Sequence, residues 1–246
     1  MTAATGRDPA GQPIPHRLEA FDWPGISEAL DAQGWAILPG LLARAECEAL
    51  ASLYGREALF RSRVVMARHA FGLGEYKYFA YPLPELVAAL RSGFYPHLVP
   101  IANRWTATLG LDVQYPQDHA RFLARCHDAG QVRPTPLLLT YGEGDYNCLH
   151  QDLYGEHVFP LQVAVLLSEP GRDFTGGELV MTEQRPRMQS RPMVLPLRQG
   201  DAAVFAVQNR PVQGKRGPYR VQMRHGVSRL RSGHRRTLGL IFHDAA

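Results

Sequence analysis

Seven short runs of β-type residues follow one another in the second half of the chain, and this succession limits the fold more than any other feature. Apolar residues dominate the runs, and turns containing Gly, Pro or Asp, such as Glu169-Pro170-Gly171, separate them. The runs cover residues 137–141, 161–167, 177–182, 193–197, 202–207, 220–223 and 237–242. Many short strands at this spacing are typical of a double-sheet jelly roll. We therefore predict a mainly β fold whose jelly-roll core, a double-stranded β-helix, spans residues 136–246.

Helical spacing of apolar residues dominates the first half of the chain. The spacing predicts helices over residues 26–33, 43–53 and 86–109, and Gly34 is a plausible C-cap for the first of them. Residues 35–38 resemble a short strand. Pro96 and Pro100 should break or kink the third helix. Because no linker separates the two halves, we expect flanking α-helices in residues 21–135 to support the β core within a single domain, residues 21–246.

The composition is that of an ordinary globular protein, with 246 residues of which 45% are hydrophobic. The first residues lack the apolar core of a signal peptide, and we expect residues 1–20 to form a short disordered lead-in. No apolar run approaches the roughly 20 residues that a membrane span needs, so no membrane partner is expected. The cysteines, Cys47, Cys126 and Cys148, are odd in number and widely spaced. This pattern does not indicate a disulfide framework and favours the cytoplasm.

A metal site is predicted at the H-x-D pair formed by His150 and Asp152. On an extended segment, side chains two residues apart project to the same face. With one further histidine, for which His225 is the obvious candidate, they would form the facial set of three ligands that non-haem Fe(II) oxygenases use. A cupin-like zinc or manganese site and a binding domain without activity are the alternatives. Cys148 lies two residues before His150, and we expect it to be a buried, inert thiol.

The order of these residues resembles that of the 2-oxoglutarate/Fe(II) dioxygenases. Arg235 follows His225 by ten residues, and Thr237 lies two residues beyond Arg235. The resemblance implies that His150, Asp152 and His225 bind iron. It also implies that Arg235 and Thr237 hold the far carboxylate of 2-oxoglutarate, and that the Tyr141 side chain contacts this co-substrate. A guanidinium suits such a role because its planar fork binds a carboxylate through two hydrogen bonds.

A closer resemblance links most of the chain to a bacterial oxygenase family assigned to the oxidative repair of alkylated DNA. It rests on the runs Y-N-C-L-H-Q-D-L-Y-G, L-L-S-E-P-G-R-D-F-T-G-G-E, E-Q-R-P-R-M-Q-S-R and R-H-G-V-S-R. The run His150-Gln151-Asp152 also occurs as HQD in the alkylation-repair dioxygenases. The ten-residue spacing of Arg235 instead resembles prolyl hydroxylases, whose turns are similar to residues 174–179 and 197–201. The retained Asp152 implies hydroxylation or oxidative dealkylation, since related halogenating enzymes lack this carboxylate.

The distribution of charge gives a further indication of the substrate. No acidic residue lies between Asp201 and Asp244, a stretch that holds nine arginines and lysines, and Arg185 and Arg187 add a second basic loop. These cations could line a groove for the phosphates of single-stranded or damaged nucleic acid, or they could form a solvated face. We therefore expect demethylation of an alkylated nucleobase. The alternatives are a hydroxylase of protein side chains, of the prolyl type, and an inactive jelly-roll binding domain.

Overall fold

The β-type runs pair into two antiparallel sheets in the computed structural model, which describes residues 11–246. We call the seven-stranded sheet the major sheet and the other the minor sheet. The order in the major sheet is β1 (Trp35–Leu38), β11 (Ala202–Ala206), β7 (Leu161–Leu166), β15 (Arg235–Leu240), β5 (Leu137–Tyr141), β4 (Glu75–Phe79) and β2 (Phe60–Val65). The order in the minor sheet is β10 (Arg191–Leu195), β9 (Leu179–Gln184), β13 (Gly217–Val227), β6 (Tyr146–His150) and β3 (Gly72–Leu73).

Three further strands complete the β structure. The strand β12 (Asn209–Gly214) pairs with β13, and β8 (Phe174–Gly176) pairs with β14 (Leu230–Gly233). The helices are α1 (Ile14–Glu19), α2 (Trp23–Gln33), α3 (Arg44–Ser52), α4 (Glu85–Thr108) and α5 (His119–Asp128).

The central strands of the major sheet are buried on both faces. Every residue of β7 and β11 is buried. One face of such a strand packs toward the minor sheet and the other must be covered by helices, so an almost continuous apolar run is the pattern expected of it. In contrast, β13 alternates between exposed and buried residues along Tyr219–His225, because only one of its faces contacts the core.

The seven predicted runs all contain strands, although several begin or end a few residues away from the predicted bounds. The helix α2 ends at Gly34, whose φ of 81° and backbone N–H bond to the Leu30 carbonyl confirm the predicted C-cap. The residue patterns did not predict β6, β8, β12 and β14, or the helix α5. They also gave no sign that β2 and β4, from the half expected to be helical, extend the major sheet.

Pro96 and Pro100 were expected to break or kink α4, and the structure shows that they do not break it. Pro96 and Pro100 lie inside an unbroken 24-residue helix. A proline in a helix interior costs about 3 kcal/mol. The helix buries large side chains such as Leu90, Phe94 and Leu98, and full burial contributes roughly 1.5–3 kcal/mol for each. Tertiary packing therefore outweighs the local cost.

The prediction of a disordered lead-in over residues 1–20 is wrong for the part of it that the structure describes. Residues 1–10 lie outside the described residues, but α1 occupies Ile14–Glu19, and Ile14 and Leu18 are buried in the core. Arg17 is anchored by hydrogen bonds to both carboxylate oxygens of Glu46 on α3, at 2.7 and 2.8 Å. The helix α1 therefore belongs to the folded part of the chain, whereas the boundary at 135/136 and the single-domain organisation stay predictions.

Candidate metal centre

Two strands of the minor sheet bring His150 and His225 together. They are direct register partners on β6 and β13, and their ring centroids are 4.2 Å apart. Asp152 follows β6 and places Oδ1 3.5 Å from His150 Nε2 and Oδ2 3.3 Å from His225 Nε2. One ligand atom from each of the three residues lies within 4.8 Å of the others. The structure therefore places the predicted triad as one cluster that could hold a metal ion.

Contacts around the triad fix which atom each side chain presents. His150 Nδ1 lies 2.8 Å from the Cys148 carbonyl, which leaves Nε2 toward the centre. Tyr154 donates a 2.7 Å hydrogen bond to Asp152 Oδ1. Phe205 packs against the His225 ring at a centroid distance of 4.7 Å. The ligand side chains are therefore oriented before any metal binds.

The ionisation of the triad suits a divalent metal. Burial lowers the pKa of His150, and the neighbouring His225 lowers it further, whereas Asp152 opposes this; the net effect favours the neutral imidazole that a metal requires. Burial alone would raise the pKa of Asp152. Hydrogen bonding and charge attraction from His225, followed by the attraction of His150, outweigh this effect and hold that pKa well below its usual range. Two imidazoles and one carboxylate are the donor set typical of non-haem Fe(II).

A buried arginine lies in the same cavity as the triad. Arg235 on β15 is 2% exposed and is the register partner of Tyr141 on β5, whose ring lies 5.7 Å from its guanidinium carbon. Its Nη1 donates a 2.6 Å hydrogen bond to Thr237 Oγ1. Within residues 11–246 no carboxylate lies at ion-pairing distance from Arg235, and its Nε is buried without a partner. Burial lowers the pKa of Arg235 to about 10. A buried cation without a counter-ion is costly, so this site favours an anionic ligand.

A cavity of about 290 Å³ between the two sheets contains both features. The triad residues, Tyr141, Arg235 and Thr237 all line it, together with apolar side chains of both sheets. Its size and its mixture of an apolar wall with a few convergent polar groups are typical of a small-molecule site. All six residues predicted for iron and 2-oxoglutarate thus lie in one cavity.

Several residues of this cavity were not predicted from the sequence. Gln162 is 5% exposed and its Oε1 is buried without a hydrogen-bond partner. It is the one polar residue in the apolar run Leu161–Leu166, a signal that could have been noticed. Asn147 Nδ2 donates to the Tyr141 hydroxyl at 3.4 Å. Phe71 is 47% exposed and also lines the cavity.

Cys148 is not the buried thiol that we expected. It is exposed, and it lines the cavity. It belongs to β6, near the edge of the minor sheet, where β3 supplies only two paired residues and leaves that strand largely uncovered. Cys47 and Cys126, in contrast, are buried on helices.

The basic residues predicted for the substrate are not brought into the cavity. Arg185 donates a 2.8 Å hydrogen bond to Glu183, whereas Arg187 is exposed at the turn between β9 and β10 with a φ of 63°. Neither residue lines the cavity that contains the triad. Arg210, from the acid-free stretch, is fully buried and ion-paired with Glu183, so it is unavailable to phosphates. Arg236 is exposed, on the opposite face of β15 from Arg235, as strand alternation predicts.

The part of the chain that the structure describes contains no helix that is long and apolar enough to cross a membrane. Cytoplasmic location stays a prediction.

Solved structures with a similar fold belong to oxygenases. One is an oxidoreductase of the 2OG-Fe(II) oxygenase family from Burkholderia pseudomallei, which is 16% identical; the match covers 92% of this chain and 94% of that chain with a TM-score of 0.56. Another is a Pseudomonas putida prolyl-4-hydroxylase, 15% identical, with 91% of this chain and 99% of that chain covered and a TM-score of 0.52. At such identities the likeness concerns the fold.

The jelly-roll fold is that of 2-oxoglutarate/Fe(II) oxygenases, and the cavity places a His, Asp, His cluster and a buried arginine within it. Residues 74–245 match the family Oxygenase-NA, described as "Oxygenase, catalysing oxidative methylation of damaged DNA", and the chain belongs to this family. The uncharacterized protein Rv2227 of Mycobacterium tuberculosis is 51% identical over 168 residues, which cover 68% of this chain and 72% of that protein. The predicted fold class and dioxygenase class are thereby confirmed. The predicted cofactors, Fe(II) and 2-oxoglutarate, agree with this class and with the His150, Asp152 and His225 cluster.

Proposed function

We propose that this protein is a dioxygenase that removes alkyl groups from damaged nucleobases with Fe(II) and 2-oxoglutarate. His150, Asp152 and His225 hold the metal through two imidazole nitrogens and one carboxylate oxygen. The single observation that carries the enzymatic part is Arg235, a buried guanidinium in the same cavity as the triad that has no counter-ion among residues 11–246. The family description supports the choice of substrate.

The far carboxylate of 2-oxoglutarate binds at Arg235. Its guanidinium offers two parallel N–H donors to a carboxylate, and the Thr237 hydroxyl, already within 2.6 Å of Nη1, adds a third polar contact. The Tyr141 ring lies next to the guanidinium, and Asn147 orients the Tyr141 hydroxyl. Because the surroundings are desolvated, this charge pair is stronger than it would be in water. A co-substrate held at Arg235 lies in the cavity that the triad also lines.

Bound Fe(II) supplies the activation of dioxygen that couples decarboxylation of 2-oxoglutarate to oxidation of the substrate. Overall, one dioxygen, one 2-oxoglutarate and one C–H bond give succinate, CO2 and a C–OH group. If the carbon is an N-methyl group, the resulting N–CH2OH loses formaldehyde and leaves N–H. The apolar walls of the cavity keep bulk water away from the reacting carbon.

The mouth of the cavity has groups that suit a nucleobase. Phe71 and Leu149 line the cavity, yet they are 47% and 44% exposed. An exposed aromatic ring offers a stacking surface, which contributes about 1–3 kcal/mol per base. The unpaired amide oxygen of Gln162 can accept a hydrogen bond from the polar edge of a base inside the cavity. A base must leave its stack to enter, so single strands are the preferred substrates.

Arg187 contacts phosphate in this proposal, as an exposed cation outside the cavity. Arg185 contributes less, because Glu183 already neutralises part of its charge. The second candidate is a hydroxylase of protein side chains, of the prolyl type. The ten-residue spacing between His225 and Arg235 favours it.

The test offers the purified enzyme, with Fe(II) and 2-oxoglutarate, a single-stranded oligonucleotide carrying N-methylated bases and, separately, a proline-rich peptide. The proposal expects formaldehyde and demethylated oligonucleotide in step with succinate, and none of these from a His225→Ala variant. Succinate coupled to hydroxylation of the peptide alone would replace the nucleobase proposal by the second candidate. Absence of iron-dependent succinate under all conditions would contradict the enzyme proposal.

A further inference from the structure

A tyrosine hydroxyl is bonded to one of the two oxygens of the carboxylate in the triad. Tyr154 lies two residues beyond Asp152 and donates a 2.7 Å hydrogen bond to its Oδ1. The other oxygen, Oδ2, is the one 3.3 Å from His225 Nε2. Each oxygen lies near one histidine of the triad, since Oδ1 is 3.5 Å from His150 Nε2, but only Oδ1 accepts the Tyr154 hydrogen bond.

The position of this hydroxyl is fixed from several sides. Tyr78 lies edge-on to the Tyr154 ring at a centroid distance of 6.3 Å, and the His243 ring lies 6.4 Å from it. Gln131 fixes the backbone of the same segment, which has no regular secondary structure. Its Nε2 donates to the Tyr154 carbonyl at 3.1 Å, and its Oε1 accepts from the His157 N–H at 2.7 Å. These contacts hold Tyr154 in place, so that its hydroxyl can orient the Asp152 carboxylate.

The Tyr154 O–H donates this hydrogen bond, and the Asp152 Oδ1 accepts it. A carboxylate oxygen that accepts a short hydrogen bond from a fixed phenol has less electron density for a metal than its free counterpart.

We propose that Tyr154 is a positioning residue that restricts Asp152 to binding iron through Oδ2 alone. With two imidazoles and one carboxylate oxygen as ligands, a six-coordinate metal would keep three positions open for the co-substrates. A carboxylate that binds through both oxygens occupies one of these positions. Without the Tyr154 hydroxyl, Asp152 can rotate and its Oδ1 becomes available to the metal. This role of Tyr154 rests on the metal site of the proposed function.

The experiment compares Tyr154→Phe with Tyr115→Phe. Tyr115 is buried, and its hydroxyl donates a 2.7 Å hydrogen bond to the Val158 carbonyl, which makes it a control whose hydroxyl does not contact a metal ligand. Mn(II) is titrated into the metal-free protein, and electron paramagnetic resonance measures the concentration of free Mn(II). Outer-shell partners of metal ligands typically change metal affinity by about 10–100-fold. Because Asp152 would then offer the metal two oxygens, we expect Tyr154→Phe to bind Mn(II) more tightly than the wild type, by up to this factor, and Tyr115→Phe to change the affinity by less than about twofold. We also expect 2-oxoglutarate to bind the Mn(II) form of Tyr154→Phe more weakly.

Two outcomes would overturn the inference. One is Mn(II) and 2-oxoglutarate binding in Tyr154→Phe that equals that of the wild type. The other is a Tyr154→Phe protein that, without metal, fails to fold or melts well below Tyr115→Phe, since the hydroxyl would then be a structural bond. Failure of the proposed function is visible separately, because the wild-type protein would then bind no more Mn(II) than His225→Ala does.

Discussion

His150 and His225 are direct register partners on neighbouring antiparallel strands, with ring centroids 4.2 Å apart, although 75 residues separate them along the chain. The pairing is followed by an irregularity in register between His225 and Val227. Such bulges often re-aim side chains next to active sites. The cross-strand pair gives two of the three ligands a rigid base, which is what a preorganised metal site requires.

Removing His225 should abolish catalysis and spare the fold. His225→Ala takes away one imidazole of the triad, so we expect Fe(II) binding to weaken strongly and succinate formation to fall below detection. Metal content after dialysis and succinate production check this. His234→Ala is the control, since His234 is exposed and does not line the cavity. Normal turnover in His225→Ala would show that the triad is not the metal site.

Arg235 and Arg236 should differ sharply in their effect on 2-oxoglutarate. Loss of one partner from a buried charge pair costs roughly 2–5 kcal/mol, so Arg235→Ala should weaken 2-oxoglutarate binding by that amount. Arg236 is exposed on the other face of β15, and Arg236→Ala should change binding by less than about 0.5 kcal/mol. Calorimetric titration of 2-oxoglutarate into the Mn(II) forms decides the matter. Equal effects in the two variants would refute the assignment of the co-substrate site.

Arg235 should destabilise the folded protein when no ligand is bound. Arg235 is buried without a carboxylate partner in the described part of the chain, and burial lowers its pKa. Arg235→Met keeps most of the volume and removes the desolvated charge. Without ligand, we expect the variant to unfold at a higher urea concentration than the wild type. Its free energy of unfolding should be larger by on the order of 1 kcal/mol. A clear loss of stability would mean that the guanidinium is satisfied without a ligand.

Arg187 should affect binding to single-stranded DNA and leave the chemistry unchanged. If it contacts one phosphate, Arg187→Ala should reduce the slope of log K against log salt by about 0.7 units, the value for a single strand. Turnover of 2-oxoglutarate without DNA should not change. Arg172→Ala serves as the control because Asp173 neutralises Arg172 through two 2.8 Å contacts. Affinity that does not vary with salt would exclude a phosphate groove at this turn.

A buried histidine away from the cavity should make the fold sensitive to acid. Burial lowers the pKa of His119 to about 4, and the nearby Arg91 adds to this effect, whereas Asp244 and Asp118 oppose it. The unfolded state, with a pKa near 6.5, therefore binds more protons between pH 6.5 and 4, and stability falls as the pH drops through this window.

The size of this effect is on the order of 1–2 kcal/mol between about pH 7 and 5. Urea unfolding of His119→Gln at both pH values should show a smaller difference than the wild type, while the exposed His69→Gln should match the wild type. An unchanged pH dependence in His119→Gln would contradict the role assigned to this histidine.

The local pattern of the sequence determined the parts of the fold that depend on alternation. Strand β5 was predicted at its observed bounds, and the opposite exposure of Arg235 and Arg236 followed from the two-residue period of a strand. The triad and the arginine site could also be predicted, because the H-x-D pair and the ten-residue step from His225 to Arg235 resemble those of a known family. The alternation and these two spacings are each encoded in a short stretch of the chain, whereas the pairing of His150 with His225 is not.

Tertiary structure alone decided the rest. Whether Cys148 is exposed depends on how much of β6 is covered by the short strand β3. Whether α4 stays helical across its two prolines depends on the residues against which it packs. Gln162 and Tyr154 became visible as cavity residues only once strands and loops distant in sequence had met. A sequence states which side of a strand a residue occupies, but burial, register with other strands and hydrogen-bond partners are set by contacts between segments far apart in the chain. The free energies of these long-range contacts cannot be deduced from the sequence of any one segment.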